Sequence, residues 1–162
     1  MPTLTYHHPL FGDVVYETDH DNKVIGDGIT FISGFNENDV QDIYIPELSV
    51  IIGNGSTFPF HIKGHYQLKA AFKEIGNAGL IHIIKEFDSP FSKRLRKPTN
   101  GAYSDKPSNH AFGIAIDINP NDGSNGGSSS PLAPIFINNG FTWGKTFSSP
   151  DPMHYEINQF II

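Results

Sequence analysis

Between residues 113 and 118 the chain reads Gly-Ile-Ala-Ile-Asp-Ile, and this alternation admits few structures. In a β-strand Ile114, Ile116 and Ile118 fall on one face, while Gly113, Ala115 and Asp117 fall on the other. The isoleucine face demands an apolar cover. The opposite face carries almost no bulk and ends in a carboxylate, so space is left in front of Asp117. His110 stands seven positions before that carboxylate, and His154 lies downstream in Asp151-Pro152-Met153-His154-Tyr155-Glu156, with acids on both sides. Two imidazole nitrogens and one carboxylate oxygen are a common donor set for a catalytic zinc that keeps a fourth position open for water. The same residues also allow an ordinary half-buried strand closed by the turn Asp117-Ile118-Asn119-Pro120.

A cover for the isoleucines is available upstream. Tyr66, Leu68, Ala71, Phe72, Ile75 and Ala78 recur at helical spacing, with Lys69, Lys73 and Glu74 on the other side and Gly76 and Gly79 where the helix should end. Residues 80–84 read as a buried strand carrying His82, and a second, short helix is expected over 132–138. In the first 60 residues, 14–16, 29–32, 42–46 and 48–52 are extended candidates, separated by turns at 19–22, 26–28 and 53–55. His7, His8 and His20 read as surface residues, and no chemistry is evident in this third. Residues 87–91 suggest a turn. Lys93 to Lys97 form a basic run of the kind usual on a solvated edge strand, in which Arg94 and Arg96 would share a face. Residues 121–134 are rich in Gly, Ser, Asn and Pro and read as a mobile loop at the rim of the site.

A length of 162 residues suits one domain with a real core, spanning 1–162. The net charge of −6 gives no footprint for nucleic acid, and no segment approaches the roughly 20 apolar residues that span a bilayer. Cysteine is absent, so any transition metal must be held by His and carboxylates. The first residues have neither a basic n-region nor an apolar run, which implies synthesis in the cytoplasm without a signal peptide and action on a cell wall only after export or release. H-E-x-x-H and G-x-S-x-G do not occur, so helical zincin and serine-hydrolase readings lack support.

The pattern Ser108-x-His110-x-x-Gly113-x-Ala115-x-Asp117, followed by Trp143-Gly144 and by Asp151-x-Met153-His154-Tyr155-Glu156, resembles the D-alanyl-D-alanine carboxypeptidase family of zinc peptidases. That family includes vancomycin-resistance carboxypeptidases and dipeptidases and phage L-alanyl-D-glutamate endopeptidases. The likeness spans roughly residues 60–160, with the first 60 specific to a subgroup. It implies an α+β fold of the DD-peptidase/hedgehog type: a small antiparallel sheet, helices on one face, and a zinc cleft across the sheet. It makes His110, Asp117 and His154 the zinc ligands and Asp151 the general base, with Glu156 either orienting a ligand imidazole or serving as an alternative base. Arg94, with Arg96 as the second choice, would stabilise the developing oxyanion or hold a peptide carboxylate. Ser108 either caps the turn or contacts substrate, and Trp143 is core or pocket wall. The implied activity is zinc-dependent hydrolysis of peptidoglycan stem peptides by a monomer. It would act as an endolysin-like L-alanyl-D-glutamate endopeptidase or as a D-Ala-D-Ala carboxypeptidase. The alternative is a binding module of the same fold that keeps the metal and lacks catalysis.

Overall fold

A computed structural model describes residues 3–18, 28–52, 56–88, 91–96 and 104–161. The expected turns at 19–22 and 53–55, most of the one at 26–28, and His20 lie outside them. Among the described residues, three antiparallel sheets and two α-helices make an α+β architecture. The first sheet runs in order β1 (Thr3–His8), β2 (Gly12–Thr18), β3 (Ile29–Ser33). β4 (Val40–Tyr44) pairs with β5 (Thr57–His61), and α1 (His65–Asn77) follows. The third sheet takes β6 (Phe87–Asp88), then β7 (Ala115–Ile118) after the turn at 109–112. It is completed, beyond α2 (Ala133–Asn138), by β8 (Phe141–Trp143) and β9 (His154–Ile157), in order β6-β7-β9-β8.

The alternation of residues 114–118 sets the layering. Ile114, Ile116 and Ile118 are fully buried and share one cluster with Leu68, Ala71, Phe72 and Ile75 of α1, Phe136 of α2, and Tyr155 and Ile157 of β9. Phe72 meets Phe136 edge-on at 5.7 Å, and Phe136 lies 4.6 Å from Tyr155. Both helices therefore cover the face that carries the isoleucines. Asp117, His154 and Glu156 occupy the other face. Val14 of β2 and Ile43 of β4 belong to the same cluster, so the N-terminal strands add to this core.

Several local expectations are corrected. The buried stripe of α1 contains Gln67 and omits Tyr66 and Ala78, which are exposed. The Gln67 amide donates to the carbonyls of Asn139 and Gln159 and accepts from the Ile161 amide, so a polar side chain can be buried there without loss. Residues 80–84 contain a 3-10 turn at Ile81–Ile83, with His82 exposed, because Gly79 at φ +72° reverses the chain directly after α1. Residues 48–52 are also a turn, with Leu48 buried and Val50 exposed. Of the proposed turn 87–91, Phe87 and Asp88 pair with Ile118 and Asp117 as an edge strand, and Ser89 and Pro90 lie outside the described residues. His8 is buried, not superficial: its ring is held between Phe112 at 4.4 Å and Phe11 at 4.8 Å. His7 remains exposed beside Asp13.

The loop at 121–134 is more ordered than its composition suggests. The Asp122 carboxylate accepts from the amides of Ser124, Gly126 and Ser128 and from both serine hydroxyls, and residues Gly127–Leu132 form a 3-10 helix leading into α2. These bonds hold the Asp122 carboxyl well below the usual carboxylate range, with the Ser128 hydroxyl contributing most. A chain of small polar residues is flexible only while its amides face water, and here one carboxylate gathers them.

Candidate metal centre

His110 sits in a 3-10 turn, Asn109–Phe112, which starts where the Ser108 hydroxyl accepts a hydrogen bond from the His110 amide at 3.2 Å. Gly113 ends the turn at φ +68°. A Cβ there would press on the Val40 side chain at 2.9 Å, so both conformation and space require glycine. The chain then enters β7 with Asp117 directly opposite His154 of β9, and Ala115 opposite Glu156. Sequence spacing alone places His110 and Asp117 near each other; strand register brings in His154.

The three side chains offer ligand atoms that all lie within 4.8 Å of one another. Nε2 of His110 is 3.3 Å from Oδ2 of Asp117, and Nδ1 of His154 is 3.5 Å from Oδ1. The two imidazoles meet at 5.1 Å, nearly perpendicular. Oδ1 of Asp117 and Nδ1 of His110 are buried without a hydrogen-bond partner among the described residues. A buried carboxylate oxygen left unpaired is costly, and a divalent cation held by that oxygen and two imidazole lone pairs removes the cost. The residues thus fit a metal ion, and nitrogen and oxygen donors without thiolate suit a borderline-hard divalent ion.

The electrostatics agree. Burial pushes the Asp117 carboxyl up, but the adjacent His110 and His154 imidazoles outweigh it and hold the group well below the usual carboxylate range. Burial pushes His154 down, yet the Asp117 and Glu156 carboxylates overcome this and hold it up at about 9. The site attracts positive charge. Glu156 uses both oxygens for positioning: one bonds Nε2 of His154 at 2.7 Å, and the other accepts from the Asn109 amide at 2.6 Å. Its carboxyl is also held low, since the His154 hydrogen bond and charge prevail over burial.

A cleft of about 540 Å³ opens in front of this group, lined among others by Arg94, Arg96, Ser108, Asn125, Asp151 and Glu156. Asp151 is placed by the backbone. Its amide donates to the Gly144 carbonyl at 2.9 Å, and its carbonyl accepts from the His154 amide at 3.0 Å. A Cβ on Gly144 would overlap the Asp151 carbonyl oxygen and touch His154 at 3.0 Å, so only glycine lets this loop close. Trp143 lies behind the cleft, where its indole N–H donates to the Pro152 carbonyl at 2.7 Å and its ring stacks on Tyr155. Oδ1 of Asp151 accepts from the Asn125 amide at 3.1 Å.

The two arginines differ. Arg96 is tied to the Pro107 carbonyl and the Tyr6 hydroxyl, both at 3.1 Å, and lies over the Tyr6 ring. The Arg94 guanidinium makes one backbone contact, to the Leu95 carbonyl at 3.3 Å. Half-burial pulls its pKa down while Asp117 and Asp151 pull it up. Arg94 is therefore the arginine with donors to spare. Of the residues unremarked in the sequence, Asn109 adjoins a ligand in the motif and was within reach, and Asn125 carries no local signal.

A family model described as D-alanyl-D-alanine carboxypeptidase matches residues 102–157. The match takes in His110, Asp117, Asp151, His154 and Glu156, and leaves out α1, Arg94 and Arg96. No curated protein and no solved structure matches the chain. Over the stretch that carries the whole candidate metal centre, the chain is similar to the D-alanyl-D-alanine carboxypeptidase family.

Proposed function

We propose that the protein is a zinc-dependent peptidase that hydrolyses peptide bonds in bacterial peptidoglycan stem peptides. The observation that carries this reading is the buried His110–Asp117–His154 group at the base of a cleft that also presents Asp151 and Arg94. When bound, zinc lowers the pKa of a coordinated water towards about 7 and polarises the scissile carbonyl. His110, Asp117 and His154 would hold it. Asp151 takes the proton from the attacking water and passes it to the leaving amine. Asn125 occupies only one of its oxygens, and among the described residues the other accepts no hydrogen bond. Glu156 is less suited to be the base because both its oxygens already hold neighbours. Arg94 offers a guanidinium to the developing oxyanion or to a peptide carboxylate. Arg94, the arginine with donors to spare, gives the cleft one place for a peptide carboxylate.

Among stem-peptide bonds, our reading favours the L-alanyl-D-glutamate bond, cut in the manner of a lytic endopeptidase, over removal of a terminal D-alanine. The chain itself has no helix, among the described residues, long and apolar enough to cross a membrane. The test is incubation of the purified protein with intact peptidoglycan, with and without a chelator, and mass spectrometry of the released fragments. Chelator-sensitive fragments with a new D-glutamate N-terminus are expected. Release of free D-alanine would move the reading to the carboxypeptidase, and zinc uptake without any cleavage would leave a metal-containing binding module.

A further inference from the structure

The polar groups beneath the cleft form one chain of hydrogen bonds that begins in the N-terminal sheet. The Leu10 amide donates to Nδ1 of His8 at 3.0 Å, so the proton of the neutral ring sits on Nε2. Nε2 donates to Oδ1 of Asn109 at 2.8 Å. Asn109 then turns its Nδ2 to Oε2 of Glu156 at 2.6 Å. Oε1 of Glu156 faces Nε2 of His154 at 2.7 Å, and since a carboxylate only accepts, Nε2 carries a proton. In the neutral imidazole that a metal requires, Nδ1, which faces Asp117, is left as the lone pair. Every junction pairs one donor with one acceptor, and the directions agree from both ends: the Leu10 amide sets the His8 ring, and the Glu156 carboxylate, which only accepts, sets Asn109 and His154.

His8 is suited to anchor such a chain. It is almost fully buried, and Phe112 and Phe11 pin its ring on two sides. Asn109 is fixed by the turn that holds His110. We propose that His8, acting through Asn109, is a positioning residue that holds the Glu156 carboxylate against Nε2 of His154 and so orients His154 as a metal ligand. The N-terminal sheet is then part of the metal-binding unit, which gives the first third of the chain a role at the site. This inference rests on the metal-centre reading above, and its test is independent of substrate.

The experiment measures zinc dissociation constants by chelator competition and the ring nitrogens of His154 by long-range proton–nitrogen NMR. The variants are His8→Phe, His8→Gln and Asn109→Asp, with Val14→Ala, a buried residue of β2 outside the chain, as a control. His8→Phe keeps the aromatic packing and removes the donor. Partners of metal-ligating imidazoles typically contribute about 10–100-fold in affinity. For Asn109→Asp, which sets a carboxylate against Glu156, a loss of that size is expected. For His8→Phe, one link further out, the expected loss is about three- to tenfold, with the Nε2 resonance of His154 shifted as its bond to Glu156 loosens. His8→Gln, which restores a donor, should recover most of it. Val14→Ala should lower thermal stability and leave the zinc constant unchanged. Wild-type uptake with an unaltered constant and His154 spectrum in both His8→Phe and Asn109→Asp overturns the positioning role alone. A wild-type protein that takes up no zinc overturns the metal centre and this role with it. Equal weakening in Val14→Ala assigns the effect to stability and also overturns the role.

Discussion

Asp117 and His154 are direct cross-strand partners, and their side chains leave the sheet on the same face, with Oδ1 and Nδ1 3.5 Å apart. Antiparallel pairing puts opposed side chains about 5 Å apart at Cβ, which is the spacing at which two ligands can share one ion. The register of β7 and β9 therefore does the work that a two-turn helix does in other metal sites. Substituting Asp117→Asn keeps the shape and removes the anionic donor. It should lower zinc affinity at least about 10-fold while the fold, followed by circular dichroism, persists. Full zinc occupancy by elemental analysis in this variant would remove Asp117 from the ligand set.

Asp151 reaches the cleft through a loop that only Gly144 allows to close. Asp151→Asn should retain zinc and lose about 10²–10⁴-fold in turnover, the usual worth of a general base. Gly144→Ala tests the same placement from behind. Its Cβ forces the loop outward, so a loss of about 1–3 kcal/mol in unfolding free energy should accompany the loss of activity. Near-normal turnover in Asp151→Asn transfers the proton to another acid, and urea titration of Gly144→Ala checks the packing directly.

Arg94 and Arg96 line one cleft but are anchored unequally, and kinetics can separate them. Arg96→Ala removes contacts to Tyr6 and Pro107 that join β1 to the cleft, so thermal stability should fall. Arg94→Ala gives up a single long backbone bond and should leave the melting temperature within a few degrees. Turnover on peptidoglycan fragments should fall about 10-fold or more in Arg94→Ala, as expected for loss of a charged donor aimed at developing charge. Unchanged kinetics in Arg94→Ala would return it to an ordinary surface cation.

The parts of this structure that were legible in the sequence are those governed by local periodicity. The isoleucine alternation fixed the two faces of β7, and the apolar spacing placed α1 within a residue of its bounds. The three metal-ligand candidates could be named because they stand in short motifs. The misread segments had their local pattern overridden by tertiary partners. Gln67 looks like a surface residue until the carbonyls of Asn139 and Gln159 are brought to it. Residues 121–134 look mobile until the Asp122 carboxylate collects their amides. His8 stands in no motif in the sequence, and its partner Asn109 stands 101 positions away. Contacts at that separation leave no periodic trace.

His61 makes the acid stability of the protein a test of its core. It is fully buried at the end of β5, its Nδ1 accepts from the Lys63 amide at 3.2 Å, and Phe11, Phe35 and Phe160 surround it. Burial lowers its pKa to about 4, with Asp39 opposing and Lys63 and His65 reinforcing the shift. The folded protein thus binds this proton less readily than the unfolded chain, whose histidine titrates near 6.5. The contribution of His61 to stability is complete above pH 6.5 and is lost as pH falls from 6.5 to about 4, by up to about 3 kcal/mol. His8, also pushed down by burial, adds to the loss in the same direction. His61→Asn keeps an acceptor for the Lys63 amide but no longer titrates. It should be less stable at neutral pH through lost ring packing, and its unfolding free energy should fall less steeply between pH 6.5 and 4. Urea unfolding of the two proteins at half-unit pH steps measures the difference in slope. Parallel curves would show that His61 takes up its proton as easily in the folded protein as in the open chain.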